Sequence, residues 1–329
     1  MAWFASATTS NDPCLVIAEL VPLQEAVTSL RLYGRGAKTS TAKEETMTTS
    51  QGEATTTGQH VAPEAWDAIA EGYDRYVAPQ EADLANEALR IVGLKPGQRF
   101  LDVAAGPGGL SLPAARLGAH VLATDWSAAM IERFDGRVRS EGLRNADGRV
   151  MDCHALDIPD DSFDVTGSLF GVMLVADQPG ALREMVRVTK PGGHVLLIAY
   201  GAPAELEFLQ LFISALTAVS PGFPGLPDDP PPLEFQVSDP EILRQRLTEA
   251  GLREIRIERT AERPAFTSGQ EMWDWVLYGN PIPGMLVADL TENEQARLRQ
   301  VLDGMLRERA GANGRAVLTN SVHIGIGTK

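Results

Sequence analysis

The stretch FLDVAAGPGGLSLPAARLGA, Phe100–Ala119, decides the fold of this chain. It begins with apolar residues typical of a buried strand and passes through a turn that contains Gly106, Gly108 and Gly109. It then continues as a sequence suited to a helix. In an open parallel sheet, such a turn lies at the carboxyl end of the strand, where ligands bind. Since glycine lets a ligand approach the backbone, the stretch predicts a nucleotide-binding turn.

The pattern on both sides of this turn predicts alternating strands and helices. Strands are predicted at 98–104, 119–124, 148–151, 163–169, 193–200 and 252–260. Helices are predicted at 64–77, 80–92, 108–117, 127–140, 178–188, 204–218 and 239–250, with a further helical insertion up to about 310. Apolar strands that alternate with amphipathic helices indicate an α/β protein whose parallel sheet is covered on both faces.

The first 60 residues differ from the rest in composition. They are rich in Ser, Thr, Ala and Gly, and the run TSTAKEETMTTSQGEATTTG has no apolar period. Such a composition buries too little surface to offset its ordering entropy, so a disordered tail is predicted at 1–60. Met47 is a second candidate start, which leaves open whether residues 1–46 are native. One domain is predicted at 61–329.

Composition and charge exclude several classes of protein. The formal net charge is −15 in 329 residues, which would repel a phosphate backbone, so no nucleic acid partner is expected. The two cysteines are too few for a disulfide framework or a cysteine-rich zinc site, so no metal is expected and a cytoplasmic setting is favoured. The longest apolar region, 194–219, is broken by Glu205 and Glu207, so no membrane span is expected.

An aspartate, Asp125, follows the second predicted strand. In VLATDWS, Asp125 lies about 20 residues after Gly106, at the tip of that strand. A carboxylate there can accept hydrogen bonds from both ribose hydroxyls of an adenosine and would repel a 2′-phosphate, which argues against NADP. The competing interpretation makes Asp125 merely the N-cap or a first-turn acid of the following helix. NAD stays open at this point, because a dinucleotide site requires the same acid.

Three features favour a different adenosine ligand. The third glycine of a dinucleotide fingerprint is replaced by Ser111, and Asp102 adds an acid inside the first strand. A further acidic cluster, RVMDCHALDIPDDSFD, follows the third strand. Together these features describe a ligand that has an adenosine and a cationic tail but no diphosphate. S-adenosyl-L-methionine has that shape.

Three segments resemble the class I S-adenosylmethionine-dependent methyltransferases, in particular the ubiquinone/menaquinone-biosynthesis type. They are FLDVAAGPGGLSLPAARLGAHVLATDWSAAMI, VMDCHALDIPDDSFDVTGSLFG and ALREMVRVTKPGGHVLLIAY, and they cover about 100–200 in the order and spacing typical of the family. The resemblance implies a Rossmann-like three-layer sandwich with a seven-stranded, mostly parallel sheet. It also implies that the last strand, 318–328, runs antiparallel between the fifth and sixth strands.

The resemblance further implies which residues contact S-adenosyl-L-methionine. They are Tyr73 over the cofactor, Asp102, Ala104, Gly106, Pro107 and Gly108 at its methionyl part, Asp125 at the ribose, Trp126 beside the adenine, Asp152 and Cys153 at the adenine amine and ring edge, and Leu169 at the end of the fourth strand. The sequence departs from the family at Ala105 and Pro107, where a second glycine or an acid is common. This departure leaves the methionine contacts open.

Methyl transfer by in-line displacement needs no covalent protein nucleophile. It needs a general base only if the acceptor must lose a proton. His154, His194 and His323 are candidate bases, and Tyr73 and Tyr76 are candidates to orient an acceptor, although packing explains each of them equally well. The catalytic residue therefore stays unassigned.

The acceptor is expected to be a small apolar or aromatic molecule. Segments 203–239 and 266–312 are predicted to form an acceptor cap, which is rich in aromatic residues: Phe208, Phe212, Phe223, Phe235, Phe266, Trp273, Trp275 and Tyr278. These residues line a pocket or form the core of the cap. Two other functions stay open, an NAD-dependent oxidoreductase and a catalytically inactive partner subunit that binds S-adenosylmethionine. The methylated atom and the oligomeric state, a homodimer included, also stay open.

Overall fold

The computed structural model describes residues 61–227 and 229–329. The predicted tail at 1–60, with the question of residues 1–46, lies outside the described residues. The helices are α1 Pro63–Gly72, α2 Ala82–Val92, α3 Ser111–Arg116, α4 Ala128–Glu141, α5 Gln178–Val188, α6 Glu207–Val219, α7 Pro240–Glu249, α8 Gly269–Gly279, α9 Pro281–Val287 and α10 Glu292–Arg309. The strands are β1 Arg99–Val103, β2 His120–Asp125, β3 Ala146–Val150, β4 Phe163–Leu169, β5 Thr189–Tyr200, β6 Arg253–Glu262, β7 Ala265–Phe266, β8 Ala316–Val317 and β9 Asn320–Thr328.

Seven of the strands form one sheet, in the order β3-β2-β1-β4-β5-β9-β6. The pairs from β3 to β5 are parallel, whereas β9 runs antiparallel to both β5 and β6. The prediction of a mostly parallel, seven-stranded α/β sheet, with its last strand antiparallel between the fifth and sixth, is confirmed. A separate two-stranded sheet of β7 and β8 was not predicted.

The central strands are apolar because helices cover both faces of the sheet. In β1, Phe100, Leu101 and Val103 are fully buried, and consecutive residues in a strand point to opposite faces. A strand buried on both sides loses the alternation of apolar and polar residues. The main hydrophobic core therefore follows β1, β4 and β5 through the middle of the sheet.

Several helices begin at the side chains that helix capping favours. Ser127 accepts a hydrogen bond from the Met130 amide at 3.1 Å at the start of α4, and Asp177 accepts one from Gly180 at 2.8 Å at the start of α5. Thr291 and Glu294 form a capping box at the start of α10. These caps supply acceptors for N–H groups that have no partner within the first turn of the helix.

The first predicted helix, 64–77, is divided in the structure. The α-helix ends at Gly72, and Tyr73–Val77 continue as a π-helical turn. A Cβ atom at Gly72 would lie 2.1–2.5 Å from ring atoms of Tyr278, so only glycine lets α8 pack this closely here. The contact places Tyr73 and its neighbours against the helices that follow the sheet.

Strand β5 begins four residues earlier than the predicted start at 193. Phe163 pairs with Thr189 and Val165 pairs with His194, so the two strands change register between these pairs. The extra residues form a bulge that contains Gly192, whose φ of 78° suits glycine.

A second hydrophobic cluster lies outside the sheet. Most of its helical members come from α6, α8 and α10, and they include Leu211, Phe212, Leu216, Trp273, Trp275, Leu298, Leu302 and Leu306. The three helices pack on one another because each presents apolar residues at helical spacing. Among residues 61–227 and 229–329, no helix combines the length and the apolar character that crossing a membrane would require.

Candidate functional site

A large cavity lies where the carboxyl ends of the sheet strands meet the α6 and α8 helices. From the sheet it is lined by the residues that end or follow β1 to β5: Ala104, Ala105, Gly106, Asp125, Trp126, Met151, Asp152, Cys153, His154, Leu169, Phe170 and Tyr200. Tyr73 and Glu81 line it from the segment before β1, and Phe208, Phe212 and Trp275 line it from the second cluster. Both hydrophobic clusters therefore contribute to one site.

The turn after β1 needs unusual backbone angles. Ala104, Gly106 and Gly108 have φ values of 53°, 54° and 95°. A Cβ atom at Gly108 would lie 2.5 Å from the Phe134 ring, so this glycine is needed for packing against α4. Gly106 lines the cavity, whereas Pro107 and Gly108 do not. Their roles as cofactor contacts stay predictions.

Asp125 ties two loops together at the edge of the cavity. Its carboxylate accepts hydrogen bonds from the Gly106 amide at 2.8 Å and from the Ser127 amide at 2.9 Å. Burial raises its pKa, and the backbone donors oppose this shift. The N-cap of α4 is Ser127 and its first turn holds no acid, so the competing interpretation of Asp125 as the cap or a first-turn acid of that helix is wrong. Asp125 instead fixes the turn and presents a carboxylate to the cavity.

Asp102 lies beneath the turn and does not line the cavity. It is 1% exposed, and its Oδ2 accepts a hydrogen bond from Ser111 Oγ at 2.7 Å. Its Oδ1 is buried with no hydrogen-bond partner among the described residues. Burial raises its pKa to about 7. A buried carboxylate oxygen without a partner is costly, so a donor supplied by a ligand would stabilise it.

Asp152, Cys153 and His154 line the cavity after β3. The Asp152 Oδ1 atom lies 2.9 Å from the His154 amide nitrogen and 2.7 Å from Nδ1 of the His154 ring. Burial raises the pKa of Cys153 to about 12, so its sulfur is a neutral thiol rather than a nucleophilic thiolate. Each of the three side chains has one atom that could bind a metal ion, and these atoms lie within 4.8 Å of one another. The Asp152 and His154 atoms already contact each other.

A buried group of acids and tyrosines includes Tyr73, which was predicted, and three residues that sequence reasoning missed: Glu81, Tyr200 and Glu262. Tyr73 donates to Glu81 Oε1 at 2.7 Å, and Tyr200 donates to Glu262 Oε2 at 3.2 Å. Asn320 also donates to Glu262, at 3.1 Å. Glu81 had no motif to mark it. Tyr200 could have been found, because it ends a predicted strand at the ligand-binding edge of the sheet.

The candidate bases and orienting residues occupy different places. His154 lines the cavity, whereas His194 lies in β5 beside Thr328 at 3.3 Å, and His323 is buried in β9. Tyr73 lines the cavity, but Tyr76 does not and stacks on Tyr278 with ring centroids 5.5 Å apart. Of the residues considered for proton transfer or acceptor contact, His154 and Tyr73 therefore reach the site.

The aromatic residues of the predicted cap divide evenly. Four of them, Phe208, Phe212, Phe235 and Trp275, line the cavity. The other four lie away from it: Phe223, Phe266, Trp273 and Tyr278. The two interpretations overlap, because Phe212 and Trp275 belong to the core of the cap and also line the cavity.

Three buried carboxyls give the fold a measurable pH dependence. Burial raises the pKa of Glu81 and Asp102 to about 7 and that of Glu262 to about 8, from ordinary values of 4.5 for Glu and 3.8 for Asp. The folded chain therefore holds more protons than the unfolded chain between the ordinary and the raised pKa values, so stability is lost as the pH rises from about 4 and levels off above about 8. We expect the melting temperature of the ligand-free protein to fall from pH 6 to pH 9.

Glu262→Gln is the matched variant for this experiment, because an amide oxygen can still accept from Asn320 and Tyr200. Its melting temperature should fall less steeply over the same range. If the melting temperature of the wild-type protein stays constant or rises from pH 6 to pH 9, ionising these carboxyls does not destabilise the folded state, and the prediction is wrong.

The comparisons with known proteins agree with this geometry. Residues 101–197 match the family model described as a methyltransferase domain. The chain is 33% identical over 166 residues to a demethylmenaquinone methyltransferase of Streptomyces avermitilis, which covers 49% of this chain and 70% of that protein. It is 36% identical over 151 residues to an uncharacterized protein of Mycobacterium tuberculosis, which covers 46% of this chain and 53% of the relative.

The solved structures support the fold. The YcgJ protein of Bacillus subtilis superposes with a TM-score of 0.50 at 18% identity, over 74% of this chain and 97% of that one. The chain spans about half the length of several of the curated relatives that it matches. Because it covers most of the Streptomyces avermitilis enzyme at more than 30% identity, the chain belongs to the class I S-adenosylmethionine-dependent methyltransferases, of the ubiquinone/menaquinone-biosynthesis type.

Proposed function

We propose that the chain transfers the methyl group of S-adenosylmethionine to a small apolar or aromatic metabolite by in-line displacement. The charge of the cavity lining favours this proposal over a dinucleotide-dependent enzyme. Among the described residues that line the cavity there is no Lys or Arg, whereas four are acidic: Glu81, Asp125, Asp152 and Glu234. Such a cavity suits a positively charged sulfonium and would repel a diphosphate.

The residues present fit the cofactor. Asp125 and Asp152 follow neighbouring strands and would hold the ribose and the adenine amine, with Trp126 and Cys153 beside the adenine and Leu169 at the end of β4. Asp102 lies beneath the turn of Ala104 and Gly106, and its buried, unpartnered Oδ1 would place negative charge below the cationic methionyl end. When bound, the cofactor supplies a methyl group on a positive sulfur.

The chain contributes to the reaction by aligning the acceptor with the donor and by excluding water from the site. Holding acceptor and donor in line can supply up to about 7–11 kcal/mol of the barrier. Segments 203–239 and 266–312 are proposed to be the acceptor cap. Phe208, Phe212 and Trp275 bring apolar surface from this cap to the cavity, and excluding water favours a reaction in which charge is dispersed.

Two measurements test the proposal together. S-adenosylhomocysteine at 100 times its Kd should stabilise the fold by about 2.7 kcal/mol, and NAD should not. Incubation with labelled S-adenosylmethionine and a metabolite extract should then give a labelled small molecule. Stabilisation by NAD alone would favour an oxidoreductase. Stabilisation by S-adenosylhomocysteine without any labelled product would favour an inactive partner subunit.

A further inference from the structure

Glu81 and Glu234 are the two acids of the cavity lining that are not among the proposed cofactor contacts, and Glu81 is the one that lies beside the turn after β1. Glu81 is 2% exposed and lies at the end of the 3-10 turn of residues 78–80, just before α2. Tyr73 donates to its Oε1 at 2.7 Å, and among the described residues this is the one hydrogen bond that the carboxyl accepts. Its Oε2 is therefore available to a donor within the cavity that Glu81 lines.

The backbone around Glu81 is shaped to receive this oxygen. A Cβ atom at Gly109 would lie 2.7 Å from Glu81 Oε2 and 3.4 Å from Leu169 Cδ2. Any side chain at Gly109 would therefore displace the carboxyl. Glu81 is thus held between the turn after β1 and Leu169 at the end of β4, and Phe170, the residue after Leu169, also lines the cavity.

A row of aromatic rings extends from this point into the proposed cap. Phe170 and Tyr200 stack with centroids 4.4 Å apart, and Tyr200 and Phe208 follow at 5.6 Å. Phe208 then meets Trp275 edge to face at 5.1 Å. Continuous aromatic surface of this kind favours a planar ring, which stacks or packs edge to face on it.

We propose that Glu81 is the proton acceptor for methylation of a hydroxyl group on an aromatic acceptor, which packs along Phe170, Tyr200, Phe208 and Trp275. This inference rests on the proposed function. The hydroxyl oxygen forms a bond to the methyl carbon, and the carbon–sulfur bond breaks with its electron pair left on sulfur. The hydroxyl proton passes to Glu81 Oε2 and reaches water after the product leaves.

The charge state of Glu81 suits this role at neutral pH. Burial raises its pKa to about 7, while the Tyr73 hydrogen bond and the Arg137 charge lower it. Asp102, Tyr200 and Glu262 are the other titratable groups whose charges couple to it. A base with a pKa near the working pH combines a useful ionised fraction with a useful affinity for the proton.

Glu81→Gln tests the assignment, because glutamine keeps the shape and can still accept from Tyr73 but cannot take a proton. We expect labelling of the extract to fall at least 100-fold, whereas S-adenosylhomocysteine binds with unchanged affinity. The wild-type rate should rise with pH through a midpoint near 7, and the residual rate of the variant should not. Glu71→Gln removes an exposed carboxylate on α1 as the control and should behave as wild type.

A binding experiment checks the same contact without turnover. In protein saturated with S-adenosylhomocysteine, 2-naphthol at pH 8 should bind at least 10-fold more weakly to Glu81→Gln than to wild type. 2-Methoxynaphthalene, which has no hydroxyl donor, should bind both equally. The charge-assisted hydrogen bond to the naphthol hydroxyl is the difference between the two probes.

Several outcomes would overturn the inference while leaving the proposed function intact. They are equal labelling by wild type and Glu81→Gln, a product methylated on nitrogen, carbon or sulfur, or equal binding of 2-naphthol to both proteins. Weaker binding of S-adenosylhomocysteine to Glu81→Gln would assign Glu81 to the cofactor instead. Failure of the wild-type protein to bind S-adenosylhomocysteine or label any metabolite would overturn the proposed function itself.

Discussion

Trp275→Ala is expected to lower the free energy of unfolding by about 3–5 kcal/mol, the usual cost of replacing a large buried aromatic residue with alanine. Trp275 is 4% exposed in the second hydrophobic cluster. Its ring meets Phe208 and Phe266 edge to face, with centroids 5.1 and 5.7 Å away. Removing the ring leaves a cavity between α8, α6 and the small sheet. Urea unfolding followed by circular dichroism measures the change.

Trp275→Phe is the matched control for this prediction. Phenylalanine keeps an aromatic ring in both contacts, and it removes an indole N–H that has no hydrogen-bond partner among the described residues. It should retain most of the stability. Because Asp125 lies on the sheet side of the cavity, S-adenosylhomocysteine should still bind to Trp275→Ala at a temperature where it is folded. A loss of less than about 1 kcal/mol would mean that the cluster closes around the deletion.

The sheet could be predicted from the sequence because its strands carry a strong local signal. Phe100 to Val103 form an apolar run that ends in glycines, and this pattern identifies a buried strand without further context. The position of β9 came from the resemblance to a family, because pairing between distant strands leaves no local pattern. The strands β7 and β8 have two residues each, which is too short to show an alternation of apolar and polar residues in the sequence.

The acids in and around the cavity differed in how far they could be predicted. Asp125 and Asp152 follow strands, so their place at the sheet edge comes from the topology alone. Glu81 and Glu262 are ordinary glutamates in the sequence, and only tertiary packing brings them close to Tyr73 and Tyr200. Burial, which gives these groups their altered pKa values, is a property of the assembled fold.

Asp125→Ala is expected to weaken S-adenosylhomocysteine binding by about 3 kcal/mol, on the order of 100-fold, if its carboxylate accepts from both ribose hydroxyls. A hydrogen bond to a charged group is typically worth about 1.5–3 kcal/mol. The variant also loses the acceptor for the Gly106 and Ser127 amides, which loosens the turn beside the ligand. Isothermal titration calorimetry measures the affinity, and circular dichroism verifies that the fold survives.

Asp125→Asn separates the two contributions of this residue. Its side-chain oxygen can still accept from a backbone amide, so the turn should be better preserved than in Asp125→Ala, while the charge at the ribose is lost. Asp147→Ala removes an exposed carboxylate from the adjacent strand β3 and should bind as wild type does. If Asp125→Ala binds S-adenosylhomocysteine as tightly as Asp147→Ala does, the carboxylate holds the turn alone, and the ribose must be recognised by other groups.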